Sequence, residues 1–177
     1  MSSARDIRVP LNFDSIVSRT ELLHGITQLT LSNGNVITVP TKVASRLPLG
    51  SSGKSSNPLN TVYGSCGYAY IYIEPDSNNS GVYGWAGWNV YSSVIGQAFC
   101  YEWGVDVENT TYILSTQFEW DSSISENNWN TGFYAIYGLG DYTAVATQAF
   151  GQSGYVFGTQ GICSSAGPLV RSYTVVS

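Results

Sequence analysis

From Gly67 onward the chain alternates between apolar and polar positions in short runs. Tyr68-Ala-Tyr-Ile-Tyr-Ile73 sets Tyr68, Tyr70 and Tyr72 on one face of a strand and Ala69, Ile71 and Ile73 on the other. Further runs of strand character cover residues 82–94, 97–107, 112–120, 132–137, 142–150, 154–162 and 169–176. Turn-forming stretches punctuate them at 76–81, 121–130, 138–141 and 164–168. About eight short strands with regular turns predict an all-β fold, a two-sheet antiparallel β-sandwich or jelly roll. No repeat period points to a propeller or solenoid.

Upstream, residues 29–39 (LTLSNGNVITV) predict one hairpin, with Asn33-Gly34 as the two positive-φ positions of a type I′ turn. Ser18-Arg-Thr-Glu21, ahead of Leu22-Leu23 and Gly25, fits a capping box on one or two helical turns, with His24 at their end.

Charge divides the chain. Residues 1–54 carry six of the seven cations against Asp6, Asp14 and Glu21, a surplus of +3, whereas residues 55–177 carry Arg171 against nine carboxylates, a deficit of −8. The flexible stretch GSSGKSSNP at 50–58 joins them. The expected organisation is therefore a basic N-terminal segment, 1–58, containing the hairpin, and an acidic aromatic body, 59–177. The segment either packs on the body by charge complementarity or forms an arm that docks on a partner, with Arg5, Arg8 and Phe13 as its contacts. Nucleic acid is not expected as a ligand, because the acidic body repels phosphate.

With 177 residues, one domain of the usual size of about 100–200 residues is expected. The chain is 14% aromatic and only 11% charged, with 13 Tyr and 19 Gly, a composition common among extracellular β proteins. No apolar run is long enough to span a membrane, and the first residues lack a secretory apolar core. A secreted protein whose signal has been removed is the expectation. Cys66 stands just before the first strand of the body and Cys163 just before the last, so a Cys66–Cys163 bridge would close nearly the whole body. Cys100 is left over, as a small buried thiol or an intermolecular bridge.

Candidate chemistry is sparse. His24 is the only histidine, no phosphate-binding, dinucleotide or hydrolase-elbow motif occurs, and no spacing fits a metal site, so neither cofactor nor metal is expected. Catalysis would have to run on carboxylates. Tyr101-Glu-Trp103 and Phe118-Glu-Trp120 flank a predicted hairpin; pairing Val107 with Tyr112 makes Glu102 and Glu119 diagonal neighbours on its polar face, about 7–8 Å apart at Cβ. Paired carboxylates suit glycoside hydrolysis, but a solvated hairpin face is the more ordinary reading.

The alternative site is an aromatic surface of Tyr68, Tyr70 and Tyr72, with Trp129 expected to be exposed in the polar stretch Ser125-Glu-Asn-Asn-Trp129. Trp85 and Trp88 fall on opposite faces of one strand, so at least one belongs to the core. Such a surface suits a protein partner or a glycan. The reading leans away from an enzyme, towards a binding protein with an extracellular protein partner; a carbohydrate-binding module is the alternative, and a carboxylate glycosidase stands third.

Leu59-Asn-Thr-Val-Tyr-Gly-Ser-Cys-Gly67 with Cys163-Ser-Ser-Ala-Gly-Pro168, plus the Leu31-Ser-Asn-Gly34 turn, resembles small secreted bacterial all-β proteins of uncharacterised function. A secreted sandwich with an N-terminal arm also resembles the small adaptor subunits of bacterial umbrella toxin particles. That resemblance implies secretion, a sandwich fold and an adaptor role in an extracellular antagonism complex.

Overall fold

The computed structural model describes residues 7–22, 24–50, 64–146, 154–165 and 171–177. In chain order the elements are β1 (Ile7–Asp14), β2 (Ile16–Glu21), β3 (Ile26–Leu31), β4 (Val36–Pro40), α1 (Thr41–Ala44), β5 (Gly67–Pro75), β6 (Val82–Val90), α2 (Ser92–Ile95) and β7 (Ala98–Asn109). They continue as β8 (Leu114–Ser123), β9 (Asn128–Ala135), β10 (Gly140–Ala146), β11 (Tyr155–Gly158), β12 (Gly161–Ser164) and β13 (Arg171–Val176). The fold is all-β with antiparallel strand pairs, as the alternation predicts, but the described residues hold thirteen strands rather than about eight. Arg5, the joining stretch 51–58 and parts of the predicted runs 142–150 and 169–176 lie outside the described residues.

One continuous sheet runs β13-β10-β7-β11-β12-β1-β5-β6-β9, with β8 added on β7. It folds on itself at β1, whose residues 12–14 pair with β12 while residues 7–11 pair with β5. One layer is therefore β5, β6 and β9, and β7, β10 and β13 face it across the core. Ala69, Ile71, Ile73, Val82 and Trp88 from the first meet Trp103, Val105, Val107, Tyr142 and Val176 from the second, all buried. Leu11 and Cys66 close one margin of this core, where the Cys66–Cys163 disulfide, with Cα atoms 6.0 Å apart, ties the start of β5 to β12 across β1.

Strands β2, β3 and β4 form a separate sheet that makes a third layer with α1. Ile16, Leu29, Leu31, Val39, Val43 and Leu47 bury against Phe99, Tyr155, Phe157 and Ile162. Alternation explains how β11 serves two cores: Tyr155 and Phe157 face the third layer while Val156 faces the sandwich. Asp14 fastens the layers, accepting hydrogen bonds from Ser164 Oγ (2.6 Å), Asn33 Nδ2 (3.3 Å) and Ser32 Oγ (3.4 Å). Burial pushes its carboxyl above the usual range despite those bonds.

Three local expectations change. Ser18–Glu21 is not helical but part of β2, paired along its length with β3, since one or two isolated helical turns gain too little to resist a full ladder. The consecutive positive-φ pair is His24 (71°) and Gly25 (73°) in the β2–β3 turn, not Asn33-Gly34. The 29–39 hairpin does form, with a three-residue loop: Gly34 N–H donates to Leu31 O (2.9 Å), Leu31 N–H donates to Asn35 O (2.8 Å), and Gly34 alone is left-handed, at 88°.

Ile7–Asp14, expected as a possible arm, has sheet partners on both of its edges. The basic segment thus splits, with β1 in the sandwich and β2–β4 with α1 in the third layer.

Candidate binding face and adjoining groove

The outward face of β5 and β6 carries the tyrosine stripe. Register sets Arg8 opposite Tyr70, Tyr70 opposite Gly87, Tyr72 opposite Trp85, and Trp85 opposite Gly132. Two of these rings lean over the next strand. A Cβ on Gly87 would come 2.5 Å from the Tyr70 hydroxyl oxygen, and the Trp85 Nε1 lies 3.9 Å from where a Cβ of Gly132 would be. Gly87 therefore has no room for a side chain, which is why the strand reads Gly84-Trp-Ala-Gly-Trp88. Tyr72 stacks on Trp85 with centroids 5.1 Å apart, and Tyr83 meets Trp85 edge-on at 5.0 Å. The result is a tiled surface of half-buried rings.

Hydrogen bonds hold its border. Tyr83 donates to Glu74, and Tyr134 donates to Asp76 Oδ2 at 2.8 Å. Asp76 also accepts from Ser80 N–H (2.7 Å) and Ser80 Oγ (2.6 Å), bonds that hold its carboxyl down at about 2.

The other expected residues distribute differently. Trp129 is not on this surface: it pairs with Trp88 on the inward face and packs on Tyr101 (4.8 Å) and Trp120 (5.5 Å). Its parity with Phe133 and Ala135 in β9 was the available signal. Phe13 is half-buried against the core, its ring occupying the space that a side chain on Gly161 would need. Trp88 is buried and Trp85 half-buried, as their opposite parity requires.

Glu102 and Glu119 are exposed diagonal neighbours on the outer face of β7 and β8, but in another register. Glu102 stands opposite Asp121 and Glu119 opposite Gly104. Solvent reaches Glu102, yet partial desolvation, and after it Asp121 and Glu119, raise its carboxyl. Beside it opens a groove of about 410 Å³ between the third layer and the sheet, walled by Lys42 and Arg46 on one side and by Glu102 and Asp121 on the other. Phe99 and Phe157 contribute apolar lining, and the Arg46 guanidinium carbon sits 4.0 Å from the Phe99 ring centroid. Cys100 lines the groove as a free, half-buried thiol, pushed up first by burial and then by Asp121 and Glu102, which suppresses the thiolate.

Among the described residues no cluster of three or more metal-ligating side chains occurs, and no helix is long and apolar enough to cross a membrane. A comparison with known protein families, with curated proteins and with solved structures finds no match for this chain.

Proposed function

We propose that this is a secreted, non-enzymatic binding protein that holds a protein partner against the outer aromatic face of β5 and β6. The tiling of Tyr70, Tyr72 and Trp85 carries the reading, because tyrosine and tryptophan are among the residues that dominate binding energy at protein interfaces. Glu74 and Asp76, the bordering carboxylates, are engaged by Tyr83 and Tyr134, which leaves fewer acceptors for sugar hydroxyls and favours a protein over a glycan. The disulfide is in keeping with an extracellular setting. An adaptor role, implied by the resemblance to toxin-particle subunits, belongs to the same proposal. Of the arm's three expected contacts, Phe13 packs half-buried against the core, Arg8 stands opposite Tyr70 in the ladder, and Arg5 lies outside the described residues.

The test passes culture supernatant from the native source over immobilised wild-type protein, a Tyr72→Ala/Trp85→Ala variant and a Glu102→Gln/Glu119→Gln variant. A protein retained by the wild type and the carboxylate variant, and lost by the folded aromatic variant, supports the proposal. Retention of polysaccharide instead transfers the face to sugars, and glycan cleavage that vanishes in the carboxylate variant makes the protein a glycosidase.

A further inference from the structure

The end of the sandwich formed by the β5–β6, β7–β8 and β9–β10 loops has a different character from the aromatic face. The three loops interlock through polar bonds. Gly138 N–H donates to Ser80 O (2.8 Å), Thr110 N–H to Asp141 O (2.8 Å), and Asn109 Nδ2 to Leu139 O (3.2 Å). Asn109 Oδ1 also accepts from the N–H groups of Thr111 (3.0 Å) and Tyr112 (3.2 Å). With residues 110–112 pinned in this way, the chain re-enters β8 only by turning at Ile113, which takes φ of +58°.

That residue is the wrong one for the fold. A β-branched side chain resists the left-handed region, where glycine or asparagine sits readily. Ile113 also buries almost nothing, at 92% exposed. Around it Tyr112, Leu114, Ile136, Leu139 and Val175 are exposed as well, so the apolar side chains left in water by the sandwich gather at this end. Strain combined with exposure gives the isolated protein no benefit, which is the signature of a residue held for contact.

We infer that this loop end is a second contact surface, in which Ile113 inserts into an apolar socket on a protein whose rim is basic. Charge selects that occupant. Glu108 and Asp141 flank the tip and are exposed, and Asp76 and Glu74 border the β5–β6 loop. The described cationic side chains Arg19, Lys42 and Arg46 all belong to the third layer, away from this end. An anionic lipid surface would be repelled, and a second copy presenting the same end would set carboxylate against carboxylate. The surface is separate from the ring tiling of β5 and β6, so either can fail alone.

The experiment uses the full chain with a photo-crosslinking amino acid in place of Ile113, or of exposed Thr20 on β2 as control, irradiated in culture supernatant from the native source. The expected result is a protein adduct from position 113 and none from position 20, still formed when Trp85→Ala is added. The purified adduct partner should bind Ile113→Gly at least about tenfold more weakly than wild type and should lose affinity with added salt. Ile113→Gly relieves the backbone, so weakened binding is not misfolding. Adducts only to lipid or to a second copy, equal adducts from both positions, no adduct, or unchanged binding by Ile113→Gly each overturn the inference.

Discussion

The two ends of the sandwich are built on opposite principles. At one, the Cys66–Cys163 bridge joins β5 to β12, and Asn127 ties α2 to β7, donating to Gly96 O (2.8 Å) and accepting from Gln97 Nε2 (3.1 Å) and Ala98 N–H (3.2 Å). At the other, Asn109 performs the same kind of anchoring, yet the loops it secures lift Tyr112, Ile113 and Leu114 into water. Both ends are anchored by an asparagine side chain. They differ in what the side chains face, so anchoring serves stability at one end and presentation at the other.

The largest effect that would break this contrast lies at the closed end. Cys66→Ser/Cys163→Ser removes a bridge spanning 97 residues and should cost about 4–5 kcal/mol in the loop-entropy account, measured by urea unfolding against the oxidised wild type. A loss under about 1 kcal/mol would mean that the closed end owes its order to packing alone. Next, Asn127→Ala and Asn109→Ala should each cost about 1–3 kcal/mol, because each removes three hydrogen bonds to neighbouring loop and strand groups. If only Asn127→Ala destabilised, the two ends would not share an anchoring device.

Smaller, and opposite in sign, is Ile113→Gly. Relief of the left-handed isoleucine should outweigh the added chain entropy and stabilise the protein by about 1 kcal/mol or less, read as a raised urea midpoint. A destabilisation would show that Ile113 packs usefully and would remove the contrast.

Acid titration sharpens it last. The Asp76 carboxyl, held at about 2, contributes stability that is complete above its ordinary value of 3.8 and is lost as pH falls from there towards 2. Asp76→Asn should flatten that acid limb. Asp14 has the reverse sign: its raised carboxyl favours the fold at low pH, and the advantage fades as pH rises from the ordinary value through the folded one, so Asp14→Asn should remove that pH dependence.

Parts of this contrast were readable from the chain. The outward tyrosines of β5, the opposed parity of Trp85 and Trp88, and the Leu29–Val39 hairpin follow from a period of two, which is a local property. The alternation of Ile7, Val9, Leu11 and Phe13 also marks a strand, a signal masked by the basic charge that suggested an arm. The polar neighbours of Trp129 suggest exposure, whereas its parity with Phe133 sets it on the inward face of β9. The β7–β8 register escaped for a different reason: closing at Asn109–Leu114 or at Val107–Tyr112 buries the same faces, and the choice between them rests on Asn109 bonding to Leu139 and Thr110 to Asp141.

By itself, then, the chain determined its class and the faces of its clearest strands, because alternation and turn chemistry act between near neighbours, and the places of Cys66 and Cys163 ahead of the first and last body strands marked the cysteine pair. Tertiary structure decided that β1 forms the bend between two layers, that β2–β4 make a third, and that Ile113, unremarkable in sequence, stands strained at an exposed tip. Those outcomes depend on contacts between residues distant along the chain, whose partners are selected only when the whole sheet assembles.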